Sequence, residues 1–132
     1  VDWVLDQIRA ADCPDNEACV VFRTKEFLKA FKDKLDERRC PNVVIKSSEN
    51  TTSPGIRLST MHRVKGLEFK LLFIADCNQG IVPLEKALKS SDKQEKAIKE
   101  MTERSLFYVA CSRARDKLLI SSTGTRSEYL KR

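Results

Sequence analysis

The chain has 132 residues, 41% of them apolar and 33% charged, with 25 Lys and Arg against 19 Asp and Glu. That length fits one domain with a real core, and no apolar run reaches the ~20 residues a membrane-spanning helix needs. The net charge of +6 favours phosphate-rich partners, nucleic acid or nucleotide, over acidic proteins or membranes.

The cysteines are Cys13, Cys19, Cys40, Cys77 and Cys111, an odd count without a C-x-x-C pair. The sole histidine, His62, has no cysteine near it in sequence, so no metal site is predicted. Cys19, Cys77 and Cys111 stand among apolar residues and read as small core fillers. Reduced thiols imply a cytoplasmic setting. The amino terminus lacks a signal-peptide pattern, and it opens on Val1 rather than Met, as a fragment would.

Val1, Val4, Leu5 and Ile8 recur at helical spacing, predicting a helix over 1–11. Residues 12–16 form a turn cluster, and Ala18–Phe22 is a compact apolar run that reads as a central strand. Thr24 is placed to cap a helix reaching about Arg39, with Phe27, Leu28, Phe31 and Leu35 as its apolar stripe. Pro41 stops it before a strand over 42–46. Residues 47–55 are Ser, Thr, Asn, Pro and Gly rich, a loop composition. From Ile56 to Ser59 apolar and polar residues alternate, the pattern of a half-buried strand. Residues 70–76 hold a continuous apolar run, Leu71 to Ala75, ending in an acid, the pattern of a strand buried on both faces. A Gly-Pro turn follows over 78–83, then a short amphipathic piece over 84–91. A long helix follows to Ala114, its first half solvated, entered through a capping box of Ser91 with Gln94 or Asp92 with Glu95. A last strand covers 117–122, and 127–130 reads as a terminal helix. Strands alternating with helices predict an α/β domain, a mostly parallel sheet flanked by helices, with sites at the carboxyl ends of strands.

Between the strands at 56–59 and 70–76 lie Thr60, His62, Arg63, Lys65, Gly66, Glu68 and Phe69. A hydroxyl, an imidazole, two cations, a glycine and a carboxylate suit a site better than a plain connection. The plain alternative is a basic turn with an incidental histidine. The stretch resembles motif V of the UvrD/Rep/PcrA group of superfamily 1 DNA helicases, roughly T-x-H-x-x-K-G-L-E-F, at Thr60, His62, Lys65, Gly66, Leu67, Glu68 and Phe69. Upstream, Val21–Thr24 is similar to the family's L-Y-R-[ST]-N strand end, with Phe22 for Tyr and Lys25 for Asn. Downstream, Gly80 and Pro83 fit its G-x-x-P. Glu103, Arg104, Leu106, Tyr108, Val109, Ala110, Arg113 and Ala114 resemble motif VI, where Thr102, Ser105 and Ser112 depart from Glu, Arg and Thr. Ser127–Leu130 is similar to the closing S-x-F-L, or is an ordinary terminal helix.

The resemblance implies a RecA-like P-loop NTPase fold, specifically the second, C-terminal motor domain of an ATP-dependent DNA helicase, over 1–132. The family's auxiliary domain would enter near 47–55, where this chain has only a short loop. Neither the Gly-x-x-x-x-Gly-Lys-[Ser/Thr] loop nor a magnesium-holding Asp-Glu pair occurs here. In the family both belong to the first motor domain, so this chain alone is expected to be inactive, completing a site for ATP with Mg2+ between two domains. Arg113 would stabilise charge on the transferring phosphate. Glu68, beside Gly66, would accept from ribose hydroxyls. Thr60 and His62, two apart and on one side of an extended segment, would face single-stranded DNA. Arg63 and Lys65 either add attraction to it or are merely solvated. The implied partners are single-stranded DNA, ATP and the first RecA-like motor domain, in the cytoplasm with the nucleoid and without a membrane. A non-catalytic nucleic-acid-binding module and a scaffold domain of a repair or recombination protein are the competing readings.

Overall fold

The structure is a computed structural model that describes residues 1–46 and 53–130. The elements in order are α1 (Asp2–Ala10), β1 (Ala18–Phe22), α2 (Lys25–Glu37), β2 (Asn42–Val44), β3 (Ile56–Thr60), β4 (Phe69–Ile74), α3 (Glu85–Leu88), α4 (Lys93–Cys111) and β5 (Ala114–Ile120). The five strands form one sheet in the order β2-β3-β1-β4-β5, and every pairing is parallel. This is the RecA-like α/β arrangement, with β1 at the centre as its apolar run predicts. The short-loop expectation for 47–55 falls largely on 47–52, outside the described residues.

The period-two alternation of the strands sorts the core onto two faces. Ala18, Val20, Phe22, Ile56, Leu58, Leu71 and Phe73 point to one face, where Val4 and Ile8 of α1 and Leu28 and Leu35 of α2 cover them. Cys19, Val21, Leu72 and Ile74 point to the other, covered by Phe107 and Ala110 of α4 and by Met61, Val64 and Phe69. The half-buried reading of β3 is corrected: all five of its residues are buried, Arg57 and Ser59 included. The polar side of this strand lies beneath the segment that leads on to β4, which the local alternation cannot reveal.

That segment, residues 61–68, is decided by geometry. β3 and β4 run parallel on either side of β1, so the chain must return from the carboxyl edge of the sheet to its amino edge. Five or six strand residues measure about 17–20 Å. Eight residues reach about 26–29 Å when extended but only about 12 Å as a helix. The return therefore makes one turn and then runs open. Arg63 N–H and Val64 N–H donate to Thr60 O at 3.1 and 3.2 Å, and Leu67 N–H donates to Val64 O at 3.1 Å. Met61 and Val64 sink into the sheet face as anchors.

The helix ends follow local chemistry. Thr24 Oγ1 accepts from Phe27 N–H at 3.4 Å, as its cap position predicts. At α4 the cap is Asp92, whose carboxylate accepts from Gln94 N–H at 3.0 Å. No capping box closes, because Asp92 N–H goes to Ser90 Oγ at 3.2 Å and Glu95 pairs with Lys99 at 3.2 Å. α4 stops at Cys111, so Arg113 stands in the turn before β5 rather than within the helix. The predicted terminal helix is a single 3₁₀ turn over Glu128–Leu130.

Candidate nucleotide and nucleic-acid site

The return segment distributes its polar side chains between two clefts. The second half reaches the amino edge of the sheet, where Gly66, Leu67 and Glu68 meet Arg113 in a cleft of about 500 Å³. Phe69 N–H donates to Arg113 O at 2.9 Å, which fixes the start of β4 against the turn before β5. Gly66 has φ +83, a conformation that L side chains rarely adopt, and the space where a Cβ would stand is open. The Arg113 guanidinium contacts only its neighbour Ser112 Oγ, at 3.1 and 3.3 Å, and among the described residues no carboxylate pairs with it. Glu68 is exposed at the same rim and has no ion-pair partner among the described residues. A forked cation and a free carboxylate on one open cleft can hold the phosphate and hydroxyl ends of one ligand.

These two residues sit at the amino ends of β4 and β5, not at the carboxyl ends where sites of such sheets are expected. Only the first half of the segment stays at the carboxyl edge. There His62 and Lys65 line a second cleft, of about 440 Å³, whose far wall is α4 through Met101, Thr102, Ser105 and Val109. Lys65 is exposed and has no carboxylate partner among the described residues. Burial at the cleft wall, then the Arg23 guanidinium, hold the His62 imidazole below the usual histidine range, and the Glu103 carboxylate works the other way.

Thr60 and His62 do not share a side. Thr60 closes β3, is 7% exposed and pairs with Phe22, while His62 is exposed on the turn that begins where the extended backbone ends. Arg63 is exposed but sends its guanidinium to Lys46 O, past the end of β2, and does not line the cleft with His62. The candidates thus resolve into Gly66, Glu68 and Arg113 at one cleft, His62 and Lys65 at another, and Thr60 and Arg63 as supports of the turn.

The sequence profile of the UvrD-like helicase C-terminal domain matches residues 42–125, more than half of the chain, and includes Gly66, Glu68 and Arg113 of one cleft and His62 and Lys65 of the other. The chain belongs to this family. It is 33% identical to the ATP-dependent DNA helicase PcrA of Staphylococcus epidermidis over 96% of its own length and 19% of that protein's. It is 38% identical to the putative ATP-dependent DNA helicase YjcD of Bacillus subtilis over 61% of its length and 11% of that protein's. In structure it is similar to the C-terminal domain of a possible DNA helicase from Lactobacillus plantarum WCFS1. The TM-score is 0.73 at 27% identity, covering 99% of this chain and 71% of that one. The chain therefore corresponds to a small part of the helicases it matches.

Within this UvrD-like domain several cleft residues carry no readable local signal. Arg57 and Lys70 belong to strands, and Arg115 follows Arg113, yet all three line the Glu68–Arg113 cleft. At the other cleft the unforeseen feature is a buried ion pair. Arg23, one residue past β1, donates through Nε to Glu103 Oε2 at 3.0 Å and through Nη2 to Glu103 Oε1. The same carboxylate accepts from Leu84 N–H at 3.2 Å. Both residues fall within the motif matches, but 80 positions separate them. Among the described residues no group of three or more His, Cys, Asp and Glu could hold a metal ion, and no helix is long and apolar enough to cross a membrane.

Proposed function

We propose that residues 1–132 are the second RecA-like motor domain of an ATP-dependent DNA helicase or translocase. The observation that carries this reading is the union of Glu68 and Arg113 in one open cleft, 45 residues apart in sequence and joined by the Phe69 N–H to Arg113 O bond. The cleft completes an ATP site whose other half lies on a first motor domain of the same parent chain. Glu68 orients the ribose through its hydroxyls, and the bend at Gly66 lets the backbone come close to the nucleotide. Arg113 meets the γ-phosphate, where a planar guanidinium stabilises charge that grows in the transition state. Among the described residues no carboxylate cluster could hold magnesium, so on this reading residues of the first motor domain would hold it and it would supply positive charge to the phosphates.

The His62–Lys65 cleft takes the single strand. Lys65 supplies charge to a phosphate, His62 donates a neutral hydrogen bond, and neither reads sequence. Thr60 and Arg63 contribute by holding the turn in shape. Apolar side chains left exposed along α4, Ile98 at 65% and Tyr108 at 61%, give the first motor domain a surface to pack on. The parent protein works in the cytoplasm, on the nucleoid.

Phosphate release by the 132-residue chain, with and without single-stranded DNA, should stay at background. In the parent, Arg113→Ala should lower turnover by about 10³-fold or more with nucleotide affinity little changed, and Arg113→Lys should restore little of it. Wild-type turnover in Arg113→Ala, or robust hydrolysis by the isolated chain, would overturn the half-site reading.

A further inference from the structure

The Arg23–Glu103 pair is buried at 9% and 5% side-chain exposure beside the cleft that holds His62. Stability gives little reason to keep it there. Bringing two charges out of water costs about as much as their attraction returns, and an apolar pair of like volume does as well or better. Its position is more informative. Arg23 stands at the carboxyl end of β1, the strand beside β3, and Met61 N–H of the return segment donates to Phe22 O at 2.9 Å. Glu103 comes from α4, the opposite wall of the cleft. The pair thus ties α4 to the end of β1 beside the cleft that His62 lines.

We propose that the Arg23–Glu103 pair is a positioning device for His62, fixing the turn that carries it and balancing one positive against one negative charge so that the imidazole meets its ligand neutral. The other charged groups around His62 fit this assignment. Arg63 turns away to Lys46 O. Lys65, on the same segment, lines the cleft without a carboxylate partner among the described residues. On α4, Arg104 lies over the Tyr129 ring, 5.9 Å from its centroid. Among the described residues Glu103 is the one acid lining the cleft, and Arg23 occupies both of its oxygens. The shift of the imidazole below the usual range agrees, with Arg23 and Glu103 acting on it in opposite senses. A histidine whose folded value is depressed contributes stability that is present above the unfolded value and lost as pH falls.

His62 is the only histidine of the chain, so its imidazole signals can be followed by NMR without assignment ambiguity. Titration of the 132-residue chain and four variants tests the proposal. Arg23→Gln leaves the carboxylate unopposed, and the His62 midpoint should rise. Glu103→Gln leaves the guanidinium unopposed, and the midpoint should fall. The double variant and Arg23→Lys should both stay near wild type. A pair that merely held the fold together would, when broken from either side, let the midpoint drift toward the free-histidine value in both single variants. That outcome, or no movement in either, overturns the proposal. Glu103→Gln is the deciding single variant, because only there do the two readings predict opposite directions; should it not fold, the double variant decides. The double variant leaves no buried charge, and a free-histidine midpoint there also overturns the assignment.

A second arm rests on the proposed strand contact and is separable from the first. Arg23→Gln should bind fluorescent oligo-dT about fivefold more tightly at pH 6 than at pH 8, because a charged donor holds phosphate better than a neutral one. Wild type should change little. Expected midpoint shifts without this gain would retire His62 as a strand contact while leaving its positioning by Arg23 and Glu103 in place.

Discussion

Lys65→Ala and His62→Ala should weaken single-strand binding in two distinguishable ways. The Lys65 ammonium is exposed at the cleft and has no carboxylate partner among the described residues, so its charge is available to a phosphate. Glu103, the acid in the facing wall, is already spent on Arg23. One ammonium on a single-strand phosphate releases about 0.7 of a counterion, so Lys65→Ala should flatten the slope of log K against log salt by about 0.7. Between 50 and 200 mM salt that slope amounts to about 0.4 log units. Wild type should therefore lose about 2.6-fold more affinity than Lys65→Ala across this range. His62 is neutral at pH 7.5, and its loss removes one hydrogen bond, about 0.5–1.5 kcal/mol. That is about a 2- to 13-fold weakening, the same at each salt concentration. Fluorescence anisotropy with labelled oligo-dT at four or five salt concentrations reads both quantities. An unchanged slope in Lys65→Ala together with unchanged affinity in His62→Ala would show that the strand does not enter this cleft.

Two further outcomes probe the scaffold. A Cβ on Gly55 (φ +125) would stand 2.6 Å from Pro41 C and 2.7 Å from Asn42 N, whereas a Cβ on Gly66 would meet nothing within 4 Å. By urea titration Gly66→Ala should lose only the cost of a left-handed residue, about 1–2 kcal/mol, and Gly55→Ala clearly more; equal losses would contradict the backbone described. Burial pushes the Cys77 and Cys111 thiols up to about 11. At pH 8 both should therefore react with a thiol reagent far more slowly in the folded chain than in urea; equal rates would place them at the surface.

How much was readable depends on whether the signal was local. β1 and β4 announce themselves, because Ala18–Phe22 and residues 71–75 are unbroken apolar runs of strand length. The α2 stripe and the Thr24 cap depend on neighbours within four positions, and they appear where expected. β3 was misjudged because Arg57 and Ser59 carry the polarity of an exposed face while a segment from elsewhere covers them. Thr60 and His62 share a side only if the backbone stays extended, and the strand order forces a turn at that point. The division into two clefts was equally hidden. It follows from β3 and β4 flanking β1, a fact about pairing that no window of residues contains. The Arg23–Glu103 pair is the extreme case, since a strand end and a mid-helix acid give no sign of each other across 80 positions.

The return segment and α4 are the two physical links between the clefts, and their construction limits how the clefts can communicate. The segment is pinned by Met61 and Val64, each at most 1% exposed, and tied at its far end by the Phe69 to Arg113 bond. Sliding it would drag these side chains through a close-packed core, so small displacements at Glu68 cannot be absorbed locally. α4 forms the second link. Glu103 faces the His62 cleft, and the helix ends about 12 Å further on, just before Arg113. Both links transmit rigid shifts better than bends. On the proposed function, a nucleotide that draws Arg113 and Glu68 toward a first motor domain would therefore move the His62–Lys65 wall with them. Because coupling between two binding sites is reciprocal, a strand held in that wall must bias nucleotide affinity by the same factor. A domain with a soft connection over residues 61–68 could hold both ligands and still fail to couple them; the buried anchors are what distinguish this one.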